Sequence, residues 1–187
     1  MTQATAPRIP PLAPPYPPAI DELLTKMTPP AAPGPLALFR VLAHHPALAE
    51  AMRPLGGFLL GRRASLPLRD REVVINRACA RCGAEYEWGV HVAAFGAAAG
   101  FDAAQHAAIA DPAGDLTGLT ARDRLLVRLV DALHDGGRVD DDLWSQIEAG
   151  WDTAQRIELL VLAGWYHAIA YVCTGARVPL EPWAARW

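Results

Sequence analysis

From Leu36 onward the apolar residues recur every three or four positions, the spacing that lines one face of an α-helix. Leu36, Phe39, Arg40, Leu42 and Ala43 form a first helical stretch that runs into His44–His45–Pro46, where the proline ends or kinks it. Leu48–Leu60 is a second stretch, punctuated by Pro54 and Gly56–Gly57. Arg69–Arg81 carries Val73, Val74 and Ala78 on one face, with Gly83 as its stop. Glu85–Ala99 reads as an alanine-rich helix closed by Gly100, and Ala103–Ala110 as a short one. Thr120 and Asp123 have the spacing of a capping box ahead of Leu125, Leu126, Leu129, Val130 and Leu133, with a stop at Gly136–Gly137. Asp140–Ala149 is a further short helix, and Thr153–Thr174 is apolar nearly all round until Gly175. No segment alternates apolar and polar residues over the length of a strand, so the fold class is all-α. A helix apolar on every side is central to a core or covered by another subunit. Some of each is expected here, and with it a homo-oligomer.

Proline use sets the first 35 residues apart. RIPPLAPPYPP and TPPAAPGP fix φ and lack backbone donors, so residues 1–35 read as an extended, polyproline-like arm. A helical turn over Ile20–Met27 interrupts it. The arm is either a disordered tail or an ordered strap laid across the body or a neighbouring subunit; Ile9, Leu12, Tyr16 and Ile20 give it something to bury. Residues 36–187 form the helical domain.

Composition narrows the function classes. The chain has 187 residues, 52% hydrophobic and 20% charged, which suits one globule with a real core. Its formal charge of −3 gives no general pull toward nucleic acid or an anionic membrane. No uninterrupted apolar run has the ~20 residues of a membrane span, and MTQATAPRIPP lacks the marks of a signal peptide. Three cysteines are too few for a disulfide framework. The expectation is a cytoplasmic protein whose partner is a small molecule.

The densest chemistry lies in REVVINRACARCGAEYEWGVH, Arg71–His91. Glu87 and His91, four apart on one helix, stack on one face. A carboxylate beside an imidazole raises the histidine pKa and selects the nitrogen that carries the proton, which makes an acid–base unit. The same spacing also describes an ordinary exposed ion pair. Cys79 and Cys82 form a literal CxxC, either two small buried thiols or a redox pair. They fall at the end of a helix, where the dipole disfavours a thiolate. No second CxxC or closely spaced histidine pair completes a zinc set, so neither metal nor cofactor is expected. Cys173 reads as core, His106 and His134 as surface, and Arg122, Asp123, Arg124 and Arg128 as a solvated helix face. Trp165, Tyr166 and His167 put polar tips on the apolar last helix. His44 and His45 suit a helix C-terminal cap or a pocket wall.

EYEWGVH, within LPLRDREVVINRACARCGAEYEWGVHVAAFGAAAG, resembles the carboxymuconolactone decarboxylase family, which shares the fold of alkylhydroperoxidase D. Supporting matches are LFRVLAHHPAL, LTARDRLLVRLVDALHDGGRVDDDLW and AQRIELLVLAGWYHAIAYV, so the resemblance runs from about Leu36 to Trp183. It implies an all-helical bundle assembled as a trimer or hexamer, with sites near subunit contacts. The peroxidase branch has a cysteine pair ahead of its histidine and a glutamate upstream. Aligned on His91, those cysteines fall on Ala84 and Glu87, and the glutamate falls on Glu72. The decarboxylase branch has a glutamate four residues before its histidine, matched by Glu87 and His91. The resemblance thus implies a cofactor-free lyase, decarboxylase or isomerase acting on a small organic acid or lactone. His91, Glu87 and Glu72 would be its catalytic residues, and Tyr86, Trp88, Arg81 and His167 its substrate contacts. The alternatives are a thiol peroxidase using Cys79 and Cys82, or a non-catalytic ligand-binding protein.

Overall fold

The computed structural model describes residues 6–29 and 32–187. Helices make up its regular structure: α1 (Pro18–Met27), α2 (Ala37–Leu42), α3 (Pro46–Leu59), α4 (Leu68–Arg81), α5 (Glu85–Phe95), α6 (Ala103–Ala110), α7 (Ala121–Gly136), α8 (Asp141–Gly150) and α9 (Thr153–Ala176). No strand occurs among the described residues. The all-α expectation therefore holds.

Local chemistry explains most of the boundaries. Asp102, Thr120 and Asp152 each close a capping box with the residue three places on, and Asp140 caps α8 through Leu143 N–H. Gly137 stops α7 in the left-handed conformation at φ 66°. Two boundaries differ from the sequence reading. Pro46 starts α3 at its first turn, where a missing N–H costs nothing, and His45 caps that helix by accepting Leu48 N–H at 3.3 Å. His45 is thus an N-cap, while His44 Nε2–H donates to Pro10 O at 2.9 Å. And α5 ends at Phe95, because a tight turn follows in which Phe101 N–H bonds to Gly96 O.

The central helix is α4, against which α5, α6, α7 and α9 all pack. Its expected apolar face is only part of what it buries. Asp70, Glu72, Asn76 and Arg77 are buried with Val73, Val74, Ile75, Ala78 and Cys79. Asp70, Glu72 and Arg77 are matched by distant partners, whereas Asn76 Nδ2–H donates to Glu72 O one turn back at 2.7 Å. Asp70 receives the Arg122 guanidinium at 2.7 Å and Trp151 Nε1–H at 2.7 Å. Arg69 pairs with buried Asp123 at 2.8 Å. Asp123 is therefore buried against α4, and Arg122 reaches to Asp70 with part of its side chain still exposed, so the two are not simply a solvated face. The offsets between paired residues stay between 50 and 54, so α4 and α7 run side by side in the same direction.

By length and composition α9 could cross a membrane. Here it is a core helix on one side, with Leu159, Leu162, Ala163, Tyr166, Ile169, Ala170 and Cys173 buried at helical spacing. Its other side leaves Ile157, Leu160, Val161 and Tyr171 exposed.

The arm is ordered wherever it is described. Arg8 and Ile9 N–H bond to Ala176 O, and Leu12 N–H bonds to Arg40 O. Residues 1–5 and 30–31 of the predicted arm lie outside the described residues. Leu23 and Leu24 of α1 are 3% and 0% exposed, and Leu23 belongs to a second apolar cluster with Leu38, Val41, Leu42, Ala49, Val90 and Ile169. Deleting residues 1–29 is expected to uncover this cluster while leaving the α4 core intact. The readout is a rise in fluorescence of an apolar dye and a lower melting temperature with most helicity retained. No dye response would refute the arm as a cover.

Candidate functional site

The Glu72 carboxylate on α4 is buried and meets the His91 ring of α5, with Nδ1–H donating at 3.1 Å to Oε2 and 3.2 Å to Oε1. This hydrogen bond fixes the proton on Nδ1. On the other side of the ring, Nε2 lies 3.0 Å from the Tyr166 hydroxyl and 3.5 Å from Glu87 Oε1. Four side chains from three helices thus form one chain of polar contacts in an apolar setting.

Electrostatics tune this chain. Burial opposes a charge on His91, but Glu72 and Glu87 outweigh it and raise the imidazole to about 10. At neutral pH the ring is therefore an imidazolium with a proton on each nitrogen. Burial, together with the nearby Glu87 and Glu72 carboxylates and Cys79, pushes the Tyr166 phenol up, so it stays protonated. Glu87 Oε2 is buried without a hydrogen-bond partner. A buried carboxylate oxygen in that state is a strong unmet acceptor.

Glu87 and Tyr166 open onto a cavity of about 220 Å³, lined on its apolar side by Leu38, Phe39, Leu42, Met52, Trp165 and Ile169. Gly56 and Gly57 of α3 also line it, and a Cβ on Gly56 would touch the Trp165 ring at 3.4 Å. The exposed cations Lys26 and Arg53 belong to the same wall. His91 and Glu72 do not line it; they stand one and two contacts behind. The cavity wall therefore includes one carboxylate residue, Glu87, and one phenol, Tyr166, with the His91–Glu72 pair behind them.

The residues expected to touch substrate lie elsewhere. Tyr86 O–H donates to Glu181 Oε1 at 2.8 Å and accepts Leu38 N–H at 3.1 Å, which ties the C-terminal segment to α2. Trp88 packs against Trp187 and His106 around a separate hollow. His106 is itself buried, not on the surface. Arg81 pairs with Asp131 at 3.0 Å and with Asp135. His167 Nδ1–H donates to Ala163 O at 2.8 Å, and its Nε2 meets His134 Nδ1 at 2.9 Å. Cys79 is fully buried, Cys82 half-buried and Cys173 buried, all as free thiols. Burial, then Glu87, Cys173, Cys82 and Glu72, holds the Cys79 thiol well above its usual range.

Tyr166 is the site residue that the sequence reading passed over in favour of His167. The signal was present: Tyr166 continues the spacing of Leu159, Leu162 and Ala163 on the buried face of α9. The next residue turns about 100° away.

No family model matches the sequence, and no curated protein is detectably similar to it. Among solved structures the chain is similar to ATU0492 of Agrobacterium tumefaciens, a protein of unknown function offered as an antioxidant defence protein, AhpD. The TM-score is 0.67 at 17% identity, over 75% of this chain and 94% of that one. The similarity shows an AhpD-like helical fold.

Proposed function

We propose that this AhpD-like fold houses a cofactor-free acid–base centre that decarboxylates or isomerises a small organic acid or lactone. The observation that carries the reading is the buried chain Glu72–His91–Glu87/Tyr166, which ends at a largely apolar cavity with Lys26 and Arg53 in its wall. Ligand pockets are of this kind, mostly apolar with a few placed polar groups. At about 220 Å³ the cavity suits a compact molecule. Its carboxylate would find Lys26 or Arg53, and its reacting carbon would lie toward Glu87.

In an isomerisation, the Glu87 carboxylate takes a proton from carbon, the Tyr166 O–H bonds to the oxygen on which charge develops, and Glu87 returns the proton at a second carbon. In a decarboxylation, the carbon–carboxylate bond breaks and its electron pair stays on the substrate carbon. The proton then delivered there comes from Nε2 of the His91 imidazolium through Glu87, and solvent restores it. Glu72 balances the imidazolium charge throughout. The exposed face of α9 at Ile157, Leu160, Val161 and Tyr171 supports assembly of the chain as a homo-oligomer. The thiol-peroxidase alternative gains little support, because Cys79 is buried among carboxylates that oppose a thiolate.

The test is a panel of small unsaturated carboxylates and lactones, carboxymuconolactone included, followed by CO₂ release and ultraviolet absorbance. At least one member is expected to turn over, with kcat falling about 10²–10⁴-fold in Glu87→Gln and helicity unchanged. Equal turnover by Glu87→Gln, or none by the wild type across the panel, would overturn the reading.

A further inference from the structure

Away from the His91 cavity, three elements bring metal-ligating atoms to one point. Cys82 is the C-cap of α4, His134 lies in the last turn of α7, and His167 lies midway along α9. Their Sγ, Nδ1 or Nε2 atoms all fall within 4.8 Å of one another, and each residue is partly exposed. None of the three lines the cavity on Glu87 and Tyr166.

We propose that Cys82, His134 and His167 form a binding site for a divalent transition-metal ion of the zinc type, with a fourth position open to water or a small anion. One thiolate and two imidazoles are a borderline-soft donor set that zinc-type ions prefer. Three protein ligands at a partly exposed point leave one coordination position free.

The His167 tautomer already suits this arrangement. His167 commits Nδ1–H to Ala163 O at 2.8 Å, which leaves the Nε2 lone pair for a ligand and holds the ring in place. That Nε2 lies 2.9 Å from His134 Nδ1, so one proton is shared between two lone pairs. Tetrahedral zinc with ordinary bond lengths needs N···N near ~3.3 Å and S···N near ~3.6 Å. The rings would part by a few tenths of an ångström and the thiol would draw in by up to about 1 Å. Both are side-chain movements.

The proton balance is simple. The His134 Nδ1 proton moves to Nε2 with no net loss, the Cys82 thiol proton leaves to solvent, and one proton is released per ion bound. The surrounding charges do not repel the ion. Arg77 and Arg81 are matched by Asp131 and Asp135, so the nearby fixed charges cancel. A histidine–histidine hydrogen bond by itself accounts for the two rings but not for a thiol at the same point.

Cobalt(II) is the probe, added to the full chain under reducing conditions. One ion per chain is expected, with tetrahedral visible bands and a thiolate-to-cobalt charge-transfer band, both displaced by Zn²⁺. Cys82→Ser is expected to remove the charge-transfer band. His134→Gln, near the exposed end of α7, is expected to weaken cobalt binding by at least ~10–100-fold, the loss that even outer partners of a metal ligand cause. Circular dichroism of each variant reports that it is folded; should Cys82→Ser not fold, His134→Gln decides alone. Absence of bound cobalt, a charge-transfer band that survives Cys82→Ser, or unchanged affinity in His134→Gln would overturn the site.

Discussion

His91→Gln is expected to lower turnover by about 10²–10⁴-fold, the usual contribution of a placed acid–base group, without unfolding the chain. The residue does not touch the cavity, so it acts through Glu87 and Tyr166, and its role must be read from pH as well as rate. With Glu72 and Glu87 raising His91 to about 10, activity that depends on the imidazolium should persist through neutral pH and fall only as pH approaches that value. Glu72→Gln keeps the shape but removes the main counter-charge. Burial then dominates, the imidazole titrates below its former value, and the alkaline limb of the pH profile moves down with it. Nuclear magnetic resonance of the ring protons would follow the same shift directly. Stability gives a second, independent signature. A folded-state pKa raised above the unfolded 6.5 stabilises the fold fully below 6.5, and the gain is lost as pH rises toward about 10. The difference in unfolding free energy between wild type and His91→Gln should therefore narrow across that window. A pH profile unmoved by Glu72→Gln would remove the relay from the mechanism.

What could be read in advance follows from distance along the chain. Glu87 and His91 are a helical turn apart, so their pairing was visible as spacing, and so was the capping box of Thr120 and Asp123. The partners that make α4 central are not. Asp70 finds Arg122 and Trp151, and Arg69 finds Asp123, across 52 to 81 residues. Without those partners, a helix holding Asp70, Glu72, Asn76 and Arg77 looks half-solvated, while the apolar α9 looks like the centre. The structure inverts that order because a buried polar group needs only a fixed partner, not an apolar identity. Pro46 shows the same limit at short range. The residue is equally good at stopping one helix and starting the next, and only the chain direction after α2 decides. The arm was ambiguous for a related reason: polyproline-like backbone has no internal hydrogen bonds, so its order comes from Ala176 O and Arg40 O far away in sequence. The cavity, being a gap among α1, α2, α3, α5 and α9, has no sequence signature of its own.

Arg77→Ala is expected to destabilise the fold by about 2–4 kcal/mol, through lost charge-assisted hydrogen bonds and the void left by a buried side chain. The side chain is 2% exposed and uses its whole fork. Nε and Nη2 donate to the two Asp131 oxygens at 2.7 Å each, binding α4 to α7. Nη1 donates to Ile109 O at 3.0 Å and Asp111 O at 2.9 Å, placing a cation on the carbonyls that end α6. Alanine would take the Arg77 donor from Ile109 O, leave Asp111 O with Gly114 N–H and Asp131 with Arg81, and open a void beside Ile109. Each effect has the same sign. Lysine supplies one ammonium in place of a planar fork and cannot reach both the carboxylate and the carbonyls, so Arg77→Lys should recover only part of the loss. Urea unfolding at neutral pH measures both, with an unchanged denaturant slope if the transition remains two-state. Domains of this kind are stable by only about 5–15 kcal/mol, so the alanine variant should melt far below the wild type. Because Arg77 touches neither His91 nor Glu87, the folded fraction of each variant should keep the His91 titration unchanged. A loss under ~1 kcal/mol, within the range of an exposed ion pair, would mean that α4 is held to α6 and α7 by apolar packing alone.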